Sequence, residues 1–89
     1  MKIKENFVLR QVADIWMVMP LGEENEKLNG MLTLSESGMI LWKALEQGCD
    51  LDALAAALTA EYDVSEEKAR ADAAKFAEKL NQLGCIDPD

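Results

Sequence analysis

The sequence contains no histidine, which removes at once the commonest general base and the commonest transition-metal ligand. Its two cysteines, Cys49 and Cys85, form no C-x-x-C pair. They supply neither a zinc site nor the dense disulfide framework of a small secreted domain, so a reduced compartment is expected. Basic residues are scarce as well: 9 Lys and Arg against 17 Asp and Glu leave a net charge of −8. That balance repels phosphate backbones and anionic lipid over a Debye length of about 8–10 Å, which argues against nucleic acid and membrane as partners. No apolar run approaches the roughly 20 residues that span a bilayer. The opening Met1-Lys2-Ile3-Lys4-Glu5-Asn6 lacks the apolar stretch and small-residue cleavage site of a signal peptide, and the expected location is the cytoplasm.

What is present is the composition of a folded chain, 49% hydrophobic over 89 residues. A chain of that length buries about 60–65% of its unfolded surface and supports one core, so residues 1–89 are read as a single domain. Phe7-Val8-Leu9-Arg10-Gln11-Val12 and Ile15-Trp16-Met17-Val18-Met19 are β-branched and aromatic runs separated by Ala13-Asp14, the pattern of two antiparallel strands joined by a tight turn. Pro20 closes the second. After a polar loop over residues 21–27, Asn29-Gly30 supplies a positive-φ turn into a short third strand, Met31-Leu32-Thr33-Leu34.

Three helices follow. Ser35 occupies an N-cap with Glu36 in the first turn, and Gly48 stands where that helix should stop. Asp50 caps the second, whose Leu51, Leu54, Ala55, Leu58 and Tyr62 recur at helical spacing. Ser65 caps the third, with Ala69, Ala73, Phe76, Leu80 and Leu83 on one face and Gly84 as the terminating residue, Cys85 closing onto Leu80. The predicted fold is α+β: a small three-stranded antiparallel sheet followed by three helices packed on one of its faces, winged helix-turn-helix-like.

No catalytic constellation emerges, and no metal or cofactor is implied. Cys49 lies near a helix start, where a thiolate can be favoured, but acids flank it and no base accompanies it. Cys85 reads as an apolar plug. The cluster Glu23-Glu24-Asn25-Glu26 lacks the ligand spacing and glycine of a calcium loop. Trp16, Trp42 and Tyr62 are expected in or beside the core, with Trp16 also able to face solvent on the outer side of the sheet.

Two features remain. With Phe76 at the centre of the third helix's buried face, a turn of 100° per residue places Asp72, Lys79, Lys68 and Lys75 along one shoulder, gathering three of the nine basic residues there. The same residues suit an ordinary solvated helix edge. The strand 31–34, if last in the sheet, leaves unpaired main-chain groups that template another strand, unless loop 21–27 covers them. Edge and lysine shoulder together would form a groove for an extended peptide.

The segments Phe7-Val8-Leu9-Arg10, Val18-Met19-Pro20, Leu34-Ser35-Glu36-Ser37-Gly38 with Ile40 and Trp42, Leu54, Leu58, Glu61-Tyr62-Asp63-Val64, Asp72, Phe76, Leu80 and Leu83-Gly84 resemble the coenzyme PQQ synthesis protein D (PqqD) family, the prototype of RiPP recognition elements. The resemblance covers nearly the whole chain. It implies a non-catalytic domain that binds the leader of a ribosomally made precursor peptide, added as a strand between the third strand and the third helix, and presents it to a modifying enzyme, commonly a radical SAM enzyme. Carried onto this sequence, the binding cleft falls on Met31, Leu32, Thr33 and Leu34 and on the helix bearing Lys68, Asp72, Lys75, Phe76 and Lys79. Ala73 stands where the family usually has a bulky aliphatic, so a shallower groove floor is expected. Two other readings suit the same elements: a winged-helix DNA-binding regulator, which the charge disfavours, and a dimeric structural subunit pairing through the edge strand. A monomer or weak dimer is expected.

Overall fold

The computed structural model describes residues 1–5, 7–20 and 32–87. Met31, loop 21–27, the acidic cluster within it and the turn at Asn29-Gly30 lie outside the described residues. The sheet is built from β2 (Phe7–Val12), β3 (Ile15–Pro20) and β4 (Leu32–Leu34) in the order β2-β3-β4, with both pairings antiparallel. The β2–β3 hairpin turns at Ala13-Asp14, where Ala13 has φ 57°. A left-handed φ at the first turn position alone matches a II′-type hairpin turn, whose twist suits the flanking strands.

The helices are α1 (Glu36–Gln47), α2 (Leu51–Glu61) and α3 (Glu66–Gln82). Each begins at a capping side chain: Ser35 Oγ accepts from the Gly38 N–H, Asp50 Oδ1 from Ala53 and Ser65 Oγ from Lys68. These bonds satisfy amide donors that the first helical turn leaves without carbonyl partners. Two glycines end helices in left-handed conformations, Gly48 at φ 84° and Gly84 at φ 76°. After α3 the Cys85 N–H donates to the Leu80 carbonyl and the Gly84 N–H to Asn81, the paired closure of a Schellman motif.

One pairing departs from the expected order of three strands and then three helices. Two further strands, β1 (Lys2–Ile3) and β5 (Ile86–Asp87), join the ends of the described chain as an antiparallel ribbon. Two residues are too few to show alternation, and contact across more than 80 positions leaves no local trace. The ribbon is anchored by hydrogen bonds: Lys4 N–H donates to the Cys85 carbonyl, Cys49 N–H to the Met1 carbonyl, and the Met1 amino group to the Cys49 carbonyl. Ile3 and Ile86 are buried through it.

Trp42 is wholly buried on α1, and the Phe7 ring of β2 meets it edge-on at 6.2 Å between centroids. Around it gather Val18, Leu34, Leu41, Leu45, Leu54, Leu58, Ala69, Ala73, Ala77 and Leu80. The alanines of α3 present short side chains toward the core. Trp16 does not lie on the outer side of the sheet. It sits opposite Leu34 across the β3–β4 ladder and packs half-buried against the core, with the Lys43 ammonium 4.9 Å from its ring centroid. Among the described residues, no helix is long and apolar enough to cross a membrane.

Two outcomes test this packing. Ile3→Ala should lower stability by about 2–3 kcal/mol, the lower part of the range for a buried aliphatic truncation, as read by urea denaturation; a change near zero would show that the ribbon contributes nothing. Burial also pushes the Cys85 thiol up to about 11, against a milder opposing pull from the Lys4 charge. A thiol raised in the folded state favours folding fully below its unfolded value of about 9 and loses that contribution as pH climbs to about 11. Denaturation at pH 8.5 and pH 11 should therefore show a larger loss for the wild-type chain than for Cys85→Ala.

Candidate functional site

A cleft of ≈ 670 Å³ opens between β4 and α3. Thr33 and Leu34 form one wall, Asp72, Phe76 and Lys79 the other, and Gly38, Leu41 and Leu58 line it between them. Ser35, Glu36, Ser37, Tyr62 and Val64 surround one end.

Among the described residues, the strand wall is an open edge. Because Val12 and Ile15 pair directly across a two-residue turn, they must exchange both main-chain hydrogen bonds. Alternation along an antiparallel ladder then turns Met17 toward β2 and turns Trp16 and Val18 toward β4. Their partners Leu34 and Leu32 bond back to β3, whereas Thr33, opposite Met17, directs its N–H and C=O away from the sheet. No described strand pairs with β4 on that side. Thr33 is exposed, and among the described residues nothing pairs with its outward main-chain groups, which suits a further strand.

The helix wall differs from the sequence expectation in its rotation. Ala69, Ala73, Ala77 and Leu80 are the buried residues of α3, while Phe76 is only half-buried. The buried face therefore centres on the alanines, and Phe76 stands on the shoulder, facing the cleft. Its size made it look like the middle of the apolar stripe; the smaller alanines hold that place because they allow close helix packing. Rotating the reference in this way carries Lys75 to the far side of the helix and leaves Lys79 as the lysine that lines the cleft. Lys68 lies beyond the lining and pairs with Asp72 at 3.2 Å, with both side chains largely in solvent, where such a pair contributes little. The three lysines keep their mutual spacing along the helix, but their shoulder lies farther from the buried face than expected, and of the three only Lys79 lines the cleft.

The floor turns on Gly38. A Cβ at this position would sit 3.4 Å from both Leu34 Cβ and Phe76 Cε1, so the glycine marks where strand and helix walls converge. At this end the exposed Tyr62 hydroxyl donates to Glu36 Oε1 at 3.0 Å, joining the end of α2 to the start of α1. Burial first, and then this bond to a carboxylate, hold the phenol above its ordinary pKa. Gly38, Glu36, Tyr62 and Val64 were not among the residues expected to line the cleft, though all four stand in segments that carry the family resemblance.

Neither cysteine lines this site. Cys49 lies outside it, and burial raises its thiol above the usual value, with the Met1 ammonium lowering it and Asp50 raising it further. Among the described residues, no three His, Cys, Asp or Glu side chains converge to hold a metal ion.

The family model of coenzyme PQQ synthesis protein D (PqqD) matches residues 13–86. The chain belongs to the PqqD family. No curated protein sequence matches it. Among solved structures, TbiB1 in complex with the TbiA(beta) leader peptide superposes with a TM-score of 0.79 at 22% identity, covering 100% of this chain and 98% of that one. A lasso peptide synthetase B1 complexed with the leader peptide superposes with a TM-score of 0.76 at 19% identity, covering 98% of this chain and 96% of that one. At these identities the likeness is one of fold, and it agrees with the PqqD assignment.

The corrected rotation predicts an order of effects. Phe76→Ala should lower stability by about 1–2 kcal/mol, against about 2–5 kcal/mol for the fully buried Leu80→Ala, measured by thermal or urea denaturation. Equal losses would return Phe76 to the core. Gly38→Ala should leave stability unchanged or raise it by up to about 1 kcal/mol, since a methyl fits in ordinary contact and alanine favours the helix.

Proposed function

We propose that this PqqD-family domain is a RiPP recognition element, binding the leader segment of a ribosomally made precursor peptide as an added strand along β4. The observation that carries the reading is the coincidence of an open strand edge, with the Thr33 main chain directed outward, and an apolar-floored cleft between that edge and α3. Strand addition draws affinity from main-chain hydrogen bonds and specificity from pockets that accept alternate side chains. Here Phe76, Gly38 and Leu34 form the apolar part and Lys79 and Asp72 the charged rim. Leu32 contributes through its place in the same strand, and Lys68 through its contact with Asp72. The two solved structures of like fold are both described as complexes with a leader peptide, which supports the same use of this fold.

In this reading the domain is not an enzyme. It raises the local concentration of the peptide's reactive part at the active site of a partner, an effective-concentration effect, and that partner is a radical SAM or other peptide-modifying enzyme of the cytoplasm. The net charge of −8 weighs against the alternative of a DNA-binding winged helix.

Thr33→Pro is the direct test. The N–H that it removes faces the open edge and makes no bond within the sheet, so proline is tolerated there as at other edge positions. The variant should fold, as read by circular dichroism, and should bind a leader peptide that the wild-type domain binds at least about tenfold more weakly than Thr33→Ala does, a loss of one strong main-chain bond. Equal affinity in titration calorimetry would exclude β4 as the docking strand.

A further inference from the structure

The cleft is polarised along its length, and this polarity specifies an order of charges in the peptide. On the α3 wall Asp72, Phe76 and Lys79 follow one another along one side of the helix, an acid, an aromatic ring and a base, over about 10 Å. Leu34 and Phe76 converge at Gly38, which aligns the centre of this wall with the end of β4. The chain then runs from Leu34 through Ser35 to Glu36, and Glu36 is tied to Tyr62, just before α3 begins. The Asp72 half of α3 therefore adjoins Glu36, and the Lys79 half lies toward Leu32.

Neither carboxylate is held in a buried ion pair. Asp72 shares an exposed contact with Lys68, too solvated to neutralise it, and Glu36 gives one oxygen to a neutral phenol. No described side chain pairs with Lys79. One end of the cleft is acidic and the other basic.

Resting on the strand-addition reading, we infer that the domain selects peptides in which a basic residue, an apolar residue and an acidic residue follow in that order from N- to C-terminus, at alternate positions: base-x-apolar-x-acid. An added strand antiparallel to β4, the more stable pairing, places its N-terminal part beside Glu36 and Asp72 and its C-terminal part beside Lys79. Side chains at alternate positions face the same way, and four strand residues advance about 13 Å, which matches the helix wall once the reach of a long basic side chain is included. The apolar residue at the centre meets Phe76 over Gly38.

Phage display of random 12-residue peptides, selected on the wild-type domain and on Lys79→Glu, tests this order. Wild-type selection should enrich base-x-apolar-x-acid peptides over the reverse order, and Lys79→Glu should lose the preference for the C-terminal acid. A synthetic peptide of the enriched order should then bind Lys79→Glu about threefold to fivefold more weakly than wild type, as expected for one solvated ion pair, while a peptide of the same composition with its charges exchanged should bind the variant better than wild type. Enriched peptides with no charge order, or with the acid first, would overturn the inference and leave strand addition standing. No enrichment of any peptide would overturn both.

Discussion

The wholly buried indole of Trp42 meets the Phe7 ring edge-on, and through this contact α1 joins the sheet to the helical layer. α1 is the element against which β1, β4, α2 and α3 are all arranged. Trp42 and Gly38 lie one turn apart on the same face of α1, so seating the tryptophan also points the glycine into the space between Leu34 and Phe76. The cleft is thus a by-product of how the core is locked. The arrangement leaves one buried side-chain polar atom without a partner among the described residues, the Trp42 Nε1, a defect that costs about 1–3 kcal/mol and is offset by the large apolar area of the ring.

Stability and recognition draw on different faces of the same elements. On α3 the alanines and Leu80 face the core while Phe76, Asp72 and Lys79 face the cleft. On β4 Leu34 is buried in the core, and no described strand pairs with the outward main chain of Thr33. The surface that would receive a peptide can therefore vary in charge without loosening the core. Gly38 is the exception, since it serves the packing of α1 and the depth of the cleft together.

In the proposed reading, the acidic end of the cleft also selects by repulsion. Glu36 and Asp72 at one end would disfavour an acid there, so that orientation in the groove would be set as much by the unfavourable register as by the favourable one. Such rim charges act more on specificity and encounter than on total affinity.

Local chemistry was legible in the residues themselves. Ser35, Asp50 and Ser65 announce helix starts because their side chains replace missing carbonyl partners, and Gly84 announces an end because the closing turn needs a left-handed φ. The Ala13-Asp14 hairpin and the short strand before Ser35 follow from alternation bounded by turn residues. What the sequence could not determine depended on distance and size. The β1–β5 ribbon joins Ile3 to Ile86 through contacts too short for any periodicity to reveal. The rotation of α3 was decided by packing: hydrophobicity alone centres its face on Phe76, but close approach of helices favours Ala69, Ala73 and Ala77 at the interface and turns the larger ring outward to the cleft. Which lysine reaches that cleft is a consequence of the same rotation, and only the assembled tertiary structure decides it.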